Sequence, residues 1–374
     1  MRTLQETASG TKESQLPDLT SLQGWRIAPR KPVGLQDCCL IVATYQRPNE
    51  ASELVRRITE MSDVPAEVLI VDASPGRETE FALLELSRLV GMPFELLYAR
   101  SPKGLTRQRN VGVDISTKPF LFFLDDDAMP LEGYFSELRR VLVSDVEELI
   151  GAAGACIVNE IAKPIPRRWR VRHAIGLIPR TAPLVYNDAG TSAPGGLTKP
   201  FHGTREVDIF AGGACAIRRK VFESMRFSEF FCGYSWGEDL EMSLRIRRKW
   251  RVVYCGDARA VHYGLQSRGG RPAAFTKGRM EVRNRYFIWR RHSRNATLLN
   301  RVRFRSDLLF LLVMDLLWFV AHPLQSQHLT HACGLVAGAV SCLISPPEWE
   351  EPAPVQRYRL GTTEGFNQVT PCHR

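Results

Sequence analysis

The sequence has no C-x-x-C pair, no repeat at solenoid periods and no apolar core in its first nineteen residues. The nine cysteines are scattered, and the only close pair is the adjacent Cys38 and Cys39. A structural zinc site or disulfide framework is therefore not expected, and a reducing cytoplasm suits the chain better. The missing repeat excludes a solenoid or propeller array. The polar start gives no sign of a secretory leader. Long hydrophobic runs are lacking as well. The two candidates are 308–321, broken by Asp315, and 333–344. As helices they reach about 21 and 18 Å, against a hydrocarbon core of about 30 Å, so neither is expected to span a membrane. Fibrous and wholly disordered classes are excluded by 44% hydrophobic and 24% charged residues over 374 positions.

What is present is a basic surplus, 50 Lys and Arg against 40 Asp and Glu. It is concentrated. Segment 277–305 holds ten basic residues and one Glu, a surplus of nine out of the net +10. Such a balance suits nucleic acid, an anionic membrane surface or a polyanionic ligand.

Residues 36–150 alternate strand and helix signals. Apolar runs at 40–43, 68–71, 94–98 and 120–124 read as strands. Between them Ala51, Leu54, Val55, Ile58 and Met61 recur at helical spacing, as do Leu83, Leu84, Leu86 and Leu89. A short helix carries Arg107, Arg109 and Asn110, and Asn49 is expected to cap the first helix. Short continuous apolar strands between helices indicate a sheet covered on both faces. Ligands bind such sheets at the carboxyl ends of the strands. At those ends stand Thr44 and Tyr45, then Asp72, then Asp125, Asp126 and Asp127.

Residues 151–265 differ, with a Pro- and Gly-rich stretch near 163–205. Gly212 and Gly213 precede an apolar run at Cys215, a helix starts near Trp236-Gly237-Glu238-Asp239, and a strand pair ends at His262. Residues 1–35 read as a poorly ordered polar lead-in, 264–271 as a flexible loop, 266–345 as a helical basic and apolar region, and 346–374 as a flexible tail.

Three carboxylates at a buried strand end repel one another, and a divalent cation relieves that cost with oxygen ligands. The plainer reading is a solvated acidic turn. Glu238 and Asp239 suit a helix N-terminus through its dipole, and a carboxylate there facing a pocket also suits a general base. His262 fits either a satisfied core histidine or a neutral imidazole ligand. Gly212 and Gly213 fit a tight turn or a close approach of backbone to ligand. Arg109 and Asn110 either face phosphates and ribose or solvate a helix.

In this order and spacing, Thr44-Tyr45-x-Arg47, Asp72, Arg109-Asn110, Asp125-Asp126-Asp127, Gly212-Gly213, Trp236-Gly237-Glu238-Asp239 and Val261-His262 resemble family 2 glycosyltransferases of the GT-A fold. The resemblance runs over about residues 38–265. It implies a Rossmann-like α/β sandwich with a mixed, mostly parallel sheet. It implies a donor half at 36–150 that binds a nucleotide-diphosphate sugar, and an acceptor half at 151–265. Thr44, Tyr45 and Arg47 would lie along the nucleotide, with Asp72 at the base. Arg109, Asn110, Asp126 and Gly213 complete the donor set. Asp125 and Asp127 would be the outer members of a D-x-D motif: Asp127 would bind the metal, Mn²⁺ or Mg²⁺, and Asp125 would sit nearer the ribose as part of both the donor and the metal sets, with His262 completing the metal shell. Asp239, with Glu238 beside it, matches the catalytic base of an inverting displacement, and Trp236 and Gly212 fall on the acceptor side. Where many relatives carry a second acid or Asn after the Asp at position 72, this chain has Ala73-Ser74.

The segment 277–305 interleaves arginines with Tyr286, Phe287, Trp289 and Phe304. No nucleic-acid motif accompanies them, and nucleic acid is not an expected partner. Basic residues beside apolar stretches suit an anionic membrane surface. The resemblance implies a glycan or lipid-linked acceptor, in cell-surface polysaccharide or glycolipid synthesis, with peripheral attachment to the inner face of the cytoplasmic membrane. The rival functions are a nucleotidyltransferase acting on a sugar phosphate and a non-catalytic membrane-surface module.

Overall fold

A computed structural model describes residues 19–30, 34–161, 164–193, 198–231, 235–264, 272–348 and 355–361. The four apolar runs of the first half become β3 (Leu35–Thr44), β4 (Pro65–Asp72), β5 (Glu95–Arg100) and β6 (Phe120–Leu124). They are joined by α1 (Pro48–Thr59), α2 (Glu78–Leu89) and α3 (Leu105–Ile115). All contacts among these four strands are parallel, in the order β6-β3-β4-β5. Their central residues are buried, with Leu40, Val42, Val68, Ile70, Leu121 and Phe122 at 0% exposure. That is why the runs are continuous rather than alternating.

The second half extends the same sheet beyond β6. Its elements are β7 (Ala128–Pro130), α4 (Tyr134–Val143), β8 (Ile150–Ile157), α5 (Val158–Ile161), α6 (Arg167–Ala174), the ribbon of β9 (Tyr186–Asn187) and β10 (Thr191–Ser192), then β11 (Thr204–Val207), β12 (Ala214–Arg218), α7 (Glu238–Ile246) and β13 (Arg251–His262). β12 lies antiparallel between β6 and β8, which makes the sheet mixed. The expected strand pair ending at His262 is one twelve-residue strand, β13, whose register with β8 shifts between Cys255 and Arg259. Three helices follow, α8 (Ala274–His292), α9 (Leu298–Ala321) and α10 (Gln327–Ile344). The fold is the mixed, mostly parallel α/β sandwich expected.

Several expectations change. The lead-in is not wholly irregular: β1 (Thr20–Leu22) and β2 (Gly24–Ile27) lie within it, and β2 forms the sheet edge antiparallel to β5. Trp25 explains this, since its ring is 5% exposed and stacks on Tyr98 at 5.3 Å. The tail also contributes. β14 (Tyr358–Leu360) pairs parallel with β1, and the Arg357 amide donates to Asp114 at 2.9 Å. Asn49 does not cap α1. Arg47 holds the cap position and Pro48 opens the helix, where its missing N–H costs nothing. The apolar stretches at 308–321 and 333–344 belong to longer helices of 24 and 18 residues. The expected loop at 264–271 lies, but for Gly264, outside the described residues.

Candidate active site

The site gathers at the carboxyl ends of β3, β4 and β6. β6 is five buried apolar residues, so the first polar positions after it fall at the sheet's rim. The chain turns there, with the Ala128 amide donating to the Asp125 carbonyl at 3.0 Å, and returns as β7. β7 pairs with the end of β13 so that His262 lies opposite Ala128, and the Tyr263 amide donates to the Asp127 carbonyl at 2.9 Å. This register brings a histidine 135 positions away in sequence to within 3.2 Å of the Asp127 carboxylate, Nε2 to Oδ1.

The triplet's members have separate partners. Asp126 accepts from the Thr44 hydroxyl at 2.8 Å and from Arg47 at 2.6 Å. Arg47 also reaches Asp127 at 3.1 Å. Burial pushes the Asp126 carboxyl up to about 7, against the opposing pull of Arg47 and Thr44. Burial raises Asp127 too, but the His262 hydrogen bond and the His262 and Arg47 charges outweigh it and hold the carboxyl below its ordinary value. His262 is raised to about 10 by its hydrogen bonds to Asp127 and Glu160.

Asp125 belongs to a different network. Arg109, 3% exposed, donates to Asp125 at 3.2 Å and to Glu238 at 3.1 Å. It thus bridges the strand-end acids and the helix-start acids. Asp239 accepts from the Gly212 amide at 3.3 Å and from the Leu240 amide at 2.7 Å. Burial raises Glu238 to about 8, helped by the Asp239 charge and opposed by Arg109. Burial raises Asp239 as well, against its two amide donors. Two glycines permit this crowding. A Cβ on Gly213 would stand 2.2 Å from Asp125 Oδ2, and one on Gly212 would meet Arg109 at 2.8 Å and Asp239 at 2.9 Å.

The expected site residues therefore sort into groups. Thr44, Arg47, Asp125, Asp126, Asp127, Gly213 and His262 converge at the strand ends. Tyr45 lies beside them, half-buried, with Lys103 Nζ 3.9 Å from its ring centroid. Glu238, Asp239 and Gly212 form the neighbouring cluster, with Trp236 next to it at 41% exposure. Gly212 buttresses Asp239 through its amide. Arg109 does not face outward to phosphates, because it is sealed between two acids. Asn110 is not in the site at all: its amide donates to the Phe227 carbonyl at 3.0 Å and its oxygen accepts the Phe227 amide at 2.9 Å. Asp72 reaches the expected rim but turns inward. It is 1% exposed, and its oxygens accept from the Ser74 amide at 2.8 Å and the Tyr98 hydroxyl at 2.9 Å.

Three contributors carry no sequence signal. Glu160 on α5 accepts from His262 Nδ1 at 3.0 Å and so orients the ring. Gln108 donates to the Thr44 and Val71 carbonyls at 2.8 Å each, tying two strand ends together. Asn284 on α8 donates to the Trp236 carbonyl at 2.8 Å. Each is a common polar residue whose role depends on which element packs beside it.

Asp125, Asp127 and His262 each offer a ligand atom, all within 4.8 Å of one another. Two carboxylates and an imidazole suit Mn²⁺ or a similar divalent cation. A carboxylate on the far ring nitrogen is the usual support for a metal-binding histidine. The donor set therefore fits the expected metal.

A sequence model described as glycosyl transferase family 2 matches residues 39–226, half of the chain. No curated protein matches the sequence. Among solved structures, the mannosyltransferase PcManGT from Pyrobaculum calidifontis, in complex with GDP-Man and Mn²⁺, is 17% identical with a TM-score of 0.47, over 85% of this chain and 89% of that one. GalNAc-T7 with UDP, GalNAc and Mn²⁺ is 16% identical at 0.46, over 73% of this chain and 55% of that one. Glucosyl-3-phosphoglycerate synthase from Mycobacterium tuberculosis, with Mn²⁺, UDP-Glc and phosphoglyceric acid, is 13% identical at 0.41, over 68% and 79%.

Proposed function

The chain belongs to glycosyl transferase family 2, and on that premise we propose that it transfers a sugar, with inversion, from a nucleotide-diphosphate sugar to an acceptor hydroxyl. The observation that carries this reading is the Arg109 bridge, which sets the metal-type acids beside the Glu238 and Asp239 pair. A divalent cation held by Asp125, Asp127 and His262 supplies charge neutralisation for the departing diphosphate. Thr44, Tyr45 and Arg47 line the nucleotide. Asp239 is the base. It takes the acceptor hydroxyl's proton as that oxygen bonds to the anomeric carbon and the carbon–diphosphate bond breaks from the opposite face. Glu238, hydrogen-bonded to Arg109, holds the start of α7 in place.

The acceptor is a glycan or a lipid-linked sugar, met at an anionic membrane surface on the cytoplasmic side during cell-surface polysaccharide or glycolipid synthesis. The basic segment 277–305 supports that part of the reading.

Asp239→Asn is the test. Turnover is expected to fall about 10²–10⁴-fold, as for loss of a positioned base, with nucleotide affinity in Mn²⁺ unchanged. Near-full turnover in that variant contradicts the assignment.

A further inference from the structure

α9 and α10 pack as an antiparallel hairpin whose outer side none of the described residues covers. On α9 the exposed stripe runs Leu298, Val302, Leu309, Val313, Leu317 and Val320, from 42% to 77% exposed. On α10 it continues through Leu329, Val336, Val340, Leu343 and Ile344. Steps of three, four and seven keep each stripe on one helix face as far as Val320 and Leu343, with Ile344 beside it. Three residues of the α10 stripe, Leu329, Val336 and Val340, also line an open apolar groove together with Phe275, Leu312, Leu316 and Arg279. An exposed apolar surface of this extent marks a contact with something apolar.

The polar groups of α8, α9, α10 and their connections point to what that contact is. α10 contains no Lys, Arg, Asp or Glu. The only carboxylate in the second half of α9, Asp315, is turned inward to His328 at 3.2 Å and His331 at 2.6 Å. Lys277, Arg279, Arg290, Arg294, Arg301 and Arg305 are exposed, and no acidic side chain pairs with any of them among the described residues. A second copy of this chain would bring the same unpaired cations against them. An anionic lipid surface offers both the apolar interior and the compensating charge. At about 1.5 Å per residue α10 extends about 27 Å, a little less than a hydrocarbon core of about 30 Å. A hairpin lying along the interface seats both stripes at once.

α8 joins this surface to the site. Its first half crosses α10 at close range, because Gly278, Gly334 and Gly338 leave no room for a Cβ between the helices. Its second half holds the acceptor side: Asn284 donates to the Trp236 carbonyl, and Ile288 packs under Gly237. Gly237 has φ +89° and caps α7, which begins with Glu238 and Asp239. Arg285 of α8 and Arg172 of α6 both pair with Asp307, which is fully buried on α9. One helix of 19 residues thus carries the hairpin at one end and the base-bearing loop at the other.

We propose that the α9–α10 hairpin docks in one leaflet of an anionic bilayer and that α8 fixes the site's acceptor side relative to it, so that the acceptor hydroxyl belongs to a lipid-anchored molecule. The substrate clause rests on the transferase reading above; the docking clause does not. The test is flotation of the full-length protein with vesicles of phosphatidylcholine alone and of phosphatidylcholine with phosphatidylglycerol. A polarity-sensitive fluorophore on Cys333 reports burial. Cys333 is the one exposed cysteine among the described residues; Cys232 and Cys372 are replaced by Ser.

Binding is expected only with the anionic vesicles, with a blue shift of the probe. Arg301→Gln and Arg305→Gln should each weaken it about fivefold at low salt. Val313→Asn with Val340→Asn should reduce it more than tenfold while leaving Mn²⁺-dependent nucleotide binding intact, which also shows that the variant folds. Protein that stays unbound to anionic vesicles yet binds nucleotide overturns the proposal. So does a blue shift without lipid accompanied by a dimeric mass, which would assign the face to a second copy. Vesicle binding without any nucleotide binding supports the docking and counts against the transferase reading. Equal turnover on a soluble acceptor and on its lipid-anchored form, with docking intact, overturns the substrate clause alone.

Discussion

The two ends of the site are built by different means. At the metal end every group sits at a strand terminus or one turn beyond it, and the sheet's register sets the distances. His262 meets Asp127 because β7 and β13 pair residue by residue. At the end proposed for the acceptor, Glu238 and Asp239 start a helix, and what holds that helix comes from elsewhere: Arg109 from α3, Gly212 from a loop, Asn284 and Ile288 from α8. Register is a backbone property that strong strands impose. Helix seating depends on side-chain packing between distant segments. Loss of a single support at the first end should therefore show in metal affinity rather than in stability, and at the second end in the seating of α7.

The largest expected effect is at the link between them. Arg109→Met leaves Asp125 and Glu238 without their shared cation in a buried place. Breaking a buried pair from one side typically costs about 3–5 kcal/mol. A fall of that size in unfolding free energy, measured in urea, is expected together with lost turnover. A variant of wild-type stability would show that the bridge is not a structural joint.

Glu160→Gln is next. It keeps the side chain's shape but removes the charge behind His262. Changes at such outer partners typically weaken metal affinity about 10–100-fold, so Mn²⁺ titration should show that loss with little change in melting temperature. Unaltered Mn²⁺ affinity would remove Glu160 from the metal's support.

The titration of Glu238 sharpens the same contrast. Its carboxyl is raised from 4.5 to about 8, first by burial. The folded protein therefore holds this proton more tightly than the unfolded chain does. Stability from this group is full below about pH 4.5 and declines as pH rises toward 8. Glu238→Gln should flatten that part of the stability–pH profile. A slope unchanged in the variant would contradict the assignment.

The smallest expected effect is Asn284→Ala, which leaves the Trp236 carbonyl unpaired. It should cost about 1 kcal/mol and raise the acceptor KM more than it lowers donor affinity. An equal effect on both would mean that α8 supports the site as a whole rather than its acceptor side.

The same division explains what could be read from the sequence. The four parallel strands were legible as apolar runs, and three of them, β3, β4 and β6, lead into Thr44, Asp72 and the aspartate triplet, where polarity switches as a buried strand meets its rim. His262 was legible for the same reason. β1, β2 and β14 were not, because three- and four-residue strands lack a periodic signal, and Trp25 finds its partner Tyr98 only through folding. Asn110 looked like a site residue because it adjoins Arg109. The α3 periodicity turns its amide to Phe227 instead, a contact 117 positions away. Asp72 sat at the right strand end, but Ser74 and Tyr98 draw it inward.

The central claim is that Asp125, Asp127 and His262 hold a divalent cation that joins the protein to a nucleotide diphosphate. Isothermal titration of UDP and GDP with and without Mn²⁺, in the wild type and in Asp127→Ala, tests it most directly. The expected result is tight, metal-dependent binding of one nucleotide by the wild type, and in Asp127→Ala an affinity that Mn²⁺ no longer improves. Nucleotide binding that is equally strong in both proteins, with or without the metal, would contradict it.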